Sequence, residues 1–203
     1  MAPPDIFSAL RDLRIPRHVY IIGCGPLGKP YHDAIPDDAY TMACNSLIAS
    51  ARPWKLYMVG DQQAIEQPWY SIDPQPETLT VVHRSLAPSH PRPDYTGLFG
   101  TLHTRGQLPI RGVFYIGGTV AGCMSELAYW GGCDHVTFCG VDMMGGEHWD
   151  GEPAPWASNC RIWPQTARLQ DMIDALAPHM RFDTLSDSAL KLNGGVVTIG
   201  EVS

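Results

Sequence analysis

"HVYIIGCGPLGKP", residues 18–30, is the stretch on which the reading of this chain turns. Five residues of strand character, His18 to Ile22, run directly into a turn that holds Gly23, Gly25, Pro26 and Gly28. A short, nearly continuous apolar run suits a strand covered on both faces, as in a parallel sheet packed between helices. A glycine-rich turn immediately after it suits a place where backbone must approach something closely. In open α/β sheets ligands lie at the carboxyl ends of the strands, so this turn is the first place to look for a site.

The same pattern recurs along the chain. Strand-length runs occupy 39–44 (AYTMAC), 55–59 (KLYMV), 78–82 (TLTVV), 113–116 (VFYI) and 135–140 (HVTFCG), followed by 180–184 and a short closing segment at 194–199. Helical patterns fall between them at 61–70, 119–130 and 164–177. The last begins at Pro164, repeats Leu169, Met172, Ile173 and Leu176 at helical spacing, and stops before Pro178. Alternation of strands and helices predicts an α/β fold: a Rossmann-like three-layer sandwich with a mainly parallel sheet. A chain of 203 residues suits one domain, 1–203. Two irregular stretches, 83–112 and 143–163, interrupt the pattern, and loops of that length usually serve function.

Composition narrows the partners. Hydrophobic residues make up 44% and charged residues 17%, a globular balance. The net charge is −7 and no window clusters Lys and Arg, so nucleic acid is not an expected partner. A small anion needs only a few backbone amides and stays in play. The opening "MAPPDIFSALRDLRIPRH" lacks the apolar core of a signal peptide, and no run approaches the roughly 18–20 apolar residues that span a bilayer. The expectation is a soluble, cytoplasmic protein. Six cysteines without C-x-x-C spacing read as free, buried thiols. A homo-oligomer is left open.

Five turns stand out, four of them with polar tips. Gly23–Gly28 spells G-x-G-x-x-G, with amides expected to face an anion, although Pro26 lacks an N–H and no acid ends the second strand. Asn45 ends that strand, and its carboxamide can both donate to and accept from a base or ribose; it can equally cap the next helix. Asp61 ends "MVGD" and Thr119 opens the helix 119–130. Asp142 ends "CGVD", where a carboxylate suits a sugar hydroxyl, a metal or a catalytic base.

"YIIGCGPLG", "ACNS", the "GGT" turn, "GGCDHVTFCGVD" and the late "LSDSAL" resemble a pattern shared by two families. One is the bacterial lipooligosaccharide sialyltransferases; the other is the archaeal hydroxymethylpterin diphosphokinase-like family. The resemblance implies a nucleotide lying across the first two strand-ending turns. Gly23, Gly25, Pro26 and Asn45 would contact it, with Thr119 and Asp142 at the centre. Leu27, Val120 and Met144 stand where the sialyltransferases carry Ser, Ser and Tyr.

Three functions follow as expectations. The first is sialyltransferase-like glycosyl transfer from a CMP-sugar or similar donor to a small-molecule or glycan acceptor, with His148 as base and no metal; the chain has no D-x-D pair. The second is ATP-dependent diphosphate transfer. It would require Mg2+ on Asp142 with Glu147 or Asp150, or on Asp61; basic residues are sparse there, and Arg84, Arg92, Arg105 and Arg111 would compensate if the long loop closes over the site. The third is nucleotide binding without turnover, motivated by the altered family positions.

Overall fold

The computed structural model describes residues 2–60, 62–100, 107–115, 119–144 and 162–198. The strands are β1 (His18–Ile22), β2 (Thr41–Cys44), β3 (Leu56–Val59), β4 (Leu79–His83), β5 (Tyr95–Gly97), β6 (Phe99–Gly100), β7 (Phe114–Tyr115), β8 (His135–Cys139), β9 (Arg181–Thr184) and β10 (Gly195–Val196). Two α-helices are described, α1 (Val120–Trp130) and α2 (Ile162–Leu176). Eight strands form one sheet in the order β10-β9-β8-β1-β2-β3-β4-β5, every pairing parallel. The fold is α/β and Rossmann-like, as the alternation predicts. Strands β6 and β7 pair separately, Phe99 against Phe114.

Side-chain alternation divides the core. Val19, Ile21, Met42, Met58 and Phe138 face α1, α2 and the N-terminal segment, in one cluster with Leu127, Leu169 and Met172. Tyr20, Ile22 and Ala43 face the other way, onto Ile35, Leu47 and Trp54. That second face is covered by short 3-10 segments, Pro26–Ala34, Asn45–Ala49, Gln62–Glu66 and Pro68–Ser71, rather than by α-helices. The expected helix 61–70 is therefore two 3-10 pieces. Pro68, which cannot donate an intrahelical bond, opens the second. Residues 83–112 are likewise not one irregular loop, since they contain edge strand β5 and β6. Their arginines are tied into the fold. Arg84 pairs with Asp5 at 3.1 Å, Arg92 donates to the carbonyls of Pro74, Gln75 and Thr78, and Arg111 donates to Phe7 O. Arg105 and Asp61 lie outside the described residues.

Helix α1 starts where the sequence predicts. Thr119 is its N-cap, its hydroxyl accepting from the Gly122 N–H at 3.2 Å. Residues 121–128 are all buried, so α1 is wedged between the sheet and α2 rather than lying on the surface. Among the described residues no helix is long and apolar enough to cross a membrane.

The amino ends of β1, β8 and β9 carry a polar cluster. The His18 and His135 rings stack at 4.1 Å between centroids. The carboxylate of Asp183, wholly buried, accepts from the Thr137 hydroxyl at 2.6 Å and meets His135 Nε2 at 2.7 Å and Arg181 Nε at 3.1 Å. Since the single hydroxyl proton of Thr137 goes to Asp183, its oxygen accepts from His18 Nε2 at 2.8 Å. Burial, and then the neighbouring His135, pull the His18 pKa down to about 4.

Candidate functional site

Strand β1 sits between β2 and β8, and the chain leaves it outward through β2 to β5 before returning to β8 on the other side. The crevice between the carboxyl ends of β1 and β8 is thus the topological switch point, with the tip of β2 next to it. The turns after these three strands carry Gly23–Gly28, Asn45 and Asp142, so the fold brings together three of the regions singled out in the sequence. Thr119 joins them through α1. One turn into that helix, Cys123 bears electrostatically on Cys44 at the β2 tip.

The glycines answer to an internal demand. Gly23 N–H donates to Cys139 O and Gly25 N–H to Gly140 O, both at 2.8 Å, extending the β1–β8 ladder past the strands. A Cβ on Gly25 would stand 2.6 Å from Gly140 O and overlap the Asp142 carboxylate; one on Gly28 would overlap the Gly140 backbone. Gly140, at φ +69°, makes the matching bend. The close approach foreseen for this turn is thus to the tip of β8. Its amides are engaged too, contrary to the expectation that they face an anion. Leu27 N–H donates to Asp142 Oδ2 at 3.0 Å and Gly28 N–H to Gly25 O at 3.2 Å. The turn also leads into 3-10 structure at Pro26–Ala34, not an α-helix.

Asp142 is 4% exposed and holds this junction. Oδ2 takes the Leu27 amide, and Oδ1 takes the Ser186 hydroxyl at 3.1 Å. Burial raises its pKa, these two hydrogen bonds oppose the rise, and Asp187 adds to it. Ser186 is the residue sequence reasoning missed. Its Oγ also accepts from Gly140 N–H at 3.3 Å, while Ser188 Oγ donates to Val141 O at 2.7 Å and Ala189 N–H to Asp142 O at 2.8 Å. The "LSDSAL" segment is therefore a brace for the Asp142 turn, and its two hydroxyls at S-x-S spacing were the available signal. Ser186→Ala is expected to cost about 1–3 kcal/mol, because it leaves a buried carboxylate oxygen and a buried amide short of partners. Chemical denaturation checks this, and unchanged stability would remove the brace.

Asn45 is placed differently from a cap. It begins the 3-10 segment Asn45–Ala49 at φ +53°, a left-handed conformation that Asn tolerates better than most residues. Its backbone oxygen accepts from Tyr57 Oη at 2.8 Å, which pins the bend. Its Oδ1, the atom a cap would use, is buried without a hydrogen-bond partner among the described residues. An unpaired buried acceptor at a strand tip is costly unless something supplies a donor. Beside it, the thiol of Cys24 receives the Ser46 hydroxyl at 3.6 Å. His148, Glu147, Asp150, Trp149 and Trp156 lie outside the described residues.

No protein-family model matches the chain, and no curated protein matches it. Among solved structures it is similar to the MAf glycosyltransferase from Magnetospirillum magneticum AMB-1, with a TM-score of 0.66 at 12% sequence identity. That match covers 100% of this chain and 40% of the other, so the chain corresponds to well under half of that protein. At this identity the likeness establishes a shared fold.

Proposed function

We propose that this chain binds a nucleotide-sugar at the tips of β1 and β2 and transfers its sugar, in a sialyltransferase-like reaction with a CMP-sugar or related donor. The observation that carries the reading is the Asn45 Oδ1, buried at the tip of β2 beside the switch point and unpartnered among the described residues. A nucleobase amino group or a ribose hydroxyl would supply the missing donor. Fold likeness to a glycosyltransferase supports the reaction class. Gly23, Gly25 and Pro26 would bound the nucleotide with backbone surface, since most of the turn's N–H groups are engaged internally. Anion stabilisation then falls to the first turn of α1 beyond Thr119, where helix-start amides and the helix dipole favour negative charge. Asp142 acts as a positioning group that shapes the turn, and His148, six residues further on, serves as base for the acceptor hydroxyl.

The test is nucleotide release from a panel of CMP-, UDP- and GDP-sugars and ATP, with and without magnesium. CMP release without added metal supports the reading, and magnesium-dependent AMP release from ATP replaces it with diphosphate transfer. Binding without any release supports a nucleotide-binding protein without turnover, a reading favoured by Leu27, 41% exposed, standing where the sialyltransferases carry Ser. A full rate in His148→Ala removes His148 as base. Asn45→Gly is the sharper variant. It keeps the left-handed bend that glycine adopts freely and removes only the carboxamide. Nucleotide affinity is expected to fall about tenfold, the worth of one good hydrogen bond, with stability unchanged. Equal affinity in a calorimetric titration would take Asn45 out of the site.

A further inference from the structure

Five cysteines are described and all are free; Cys44, Cys123, Cys133 and Cys139 are buried, whereas Cys24 is only partly so. Cys24 stands between Gly23 and Gly25, beyond the tip of β1, and Cys44 ends the neighbouring β2. The register Ile22↔Ala43 brings Cys44 level with Gly23, so Cys24 follows one residue beyond the position opposite Cys44 where the strands finish. Cys24 Sγ lies 3.4 Å from the carbonyl oxygen of Cys44 and 3.6 Å from Ser46 Oγ, while Cys44 Sγ lies 3.8 Å from Ile22 O. Each thiol thus points at the other's strand.

The surroundings of the two sulfurs differ. The Cys44 thiol, the Ser46 hydroxyl and the amides of Ser46 and Leu47 all favour a negative charge on Cys24, the Cys44 thiol most, and together they lower its pKa against the opposing effect of burial. Cys44, deeply buried and next to Cys24 and Cys123, is pushed well above the ordinary thiol range, its interaction with Cys24 being the first cause. One thiol is prepared to attack and its neighbour to follow. Among the described residues no group of three or more Cys, His, Asp or Glu could hold a metal ion, so the pair is not accounted for as metal ligands.

We propose that Cys24 and Cys44 form an oxidisable dithiol, which a peroxide converts into a disulfide joining the tips of β1 and β2. The Cys24 thiolate attacks one peroxide oxygen and the O–O bond breaks. The departing oxygen takes a proton and leaves as water or an alcohol, and Cys24 becomes a sulfenic acid. The Cys44 sulfur then attacks the Cys24 sulfur. The S–S bond forms, the S–O bond breaks, and the thiol proton of Cys44 leaves with the hydroxyl as water. Two thiols are oxidised and one peroxide is reduced. Serine at Ser46 and the bend at Asn45 supply the donors that prepare the first sulfur. The dithiol stands without the nucleotide reading, although both concern the same strand tips.

The experiment treats the reduced full chain with hydrogen peroxide near pH 7, blocks remaining thiols by alkylation and maps the products by mass spectrometry. The expected product links Cys24 to Cys44, with two hydrogens lost and recovered on adding dithiothreitol. Cys44→Ser should halt the sequence at a Cys24 sulfenic acid that dimedone traps, and Cys24→Ser should leave Cys44 reduced. A wild-type chain with both residues still alkylated, at peroxide that oxidises an unstructured cysteine peptide, overturns the proposal. So does a disulfide that pairs either residue elsewhere. Because the wild-type map needs no variant, a misfolded mutant does not blur the answer. Failure of every nucleotide to bind the reduced protein would sink the nucleotide reading while leaving this result intact.

Discussion

Gly28→Ala is expected to cost about 3 kcal/mol or more, the upper end of what overpacking a tight interior costs. The new methyl group would overlap the Gly140 N and Cα atoms and approach the Cys139 carbonyl carbon to 2.9 Å. All of these are backbone atoms at the end of β8, which no rotamer change can move aside. Relief would require parting the tips of β1 and β8, and with them the Gly25–Gly140 and Leu27–Asp142 hydrogen bonds. For a chain of this size the loss corresponds to a fall in melting temperature of about 6–12 °C. Gly122→Ala is the paired control. Its added methyl group meets the flexible end of Met172, at 3.2 Å from Cε and 3.4 Å from Sδ, in the first turn of α1. There alanine regains up to about 1 kcal/mol of helix propensity, so the change should be near neutral or stabilising. Equal melting temperatures for Gly28→Ala and wild type would show that the junction of the two turns is not held as described.

Acid should destabilise the protein through His18 before it reaches the carboxylates. The folded pKa of His18 is about 4 against 6.5 for the free side chain, so between those values the unfolded chain binds more protons than the folded one. Stability is therefore complete above about pH 6.5, declines as the pH falls, and levels off for this group below about pH 4. The full shift would be worth roughly 3 kcal/mol, and because His18 is partly exposed, about 2 kcal/mol is the better expectation. The charged groups around it act in both directions. His135 and Arg181 resist its protonation, and Asp183 and Asp134 favour it, but burial outweighs them. His32, His83 and His90 are also lowered, with burial as the first cause, so their contributions share the same sign. Denaturant unfolding of wild type and His18→Asn at pH 7, 5.5 and 4 isolates His18. The variant should lose less stability across that range, and parallel curves would contradict the account.

The sheet was legible because buried parallel strands write themselves as short apolar runs. "HVYII", "KLYMV" and "HVTFC" sit within a residue of β1, β3 and β8. Helix α1 was equally clear, its Thr119 cap followed by eleven residues. The cover on the second face was not. Pro26, Pro30 and Pro68 remove amide donors, and the segments that hold them are 3-10 turns, whereas 61–70 reads as one helix in the sequence. Strand β5 is three residues long and was lost in a proline-rich stretch. The glycine turn illustrates a deeper limit. Sequence shows that backbone must approach something closely, but only the fold reveals that the neighbour is Gly140, over a hundred residues away. Asn45 gained from the structure, because neither its left-handed bend nor an Oδ1 without a partner among the described residues follows from residue type. Ser186 was overlooked for the same reason as Gly140, since its partners are distant in the chain.

The central position of β1 has a consequence for how the chain acquires its shape. Strand β1 lies between β2, soon reached along the chain, and β8, whose His135 pairs with His18 across 117 residues. As the polypeptide leaves the ribosome, β1 through β5 can assemble while the apolar flank of β1 waits for a partner not yet synthesised. Bringing such distant segments together is entropically slow, and an unpaired strand flank invites association with other chains. Refolding from denaturant should accordingly be slow, with yield falling as protein concentration rises, and a fragment ending before β8 should aggregate rather than form a stable half-sheet.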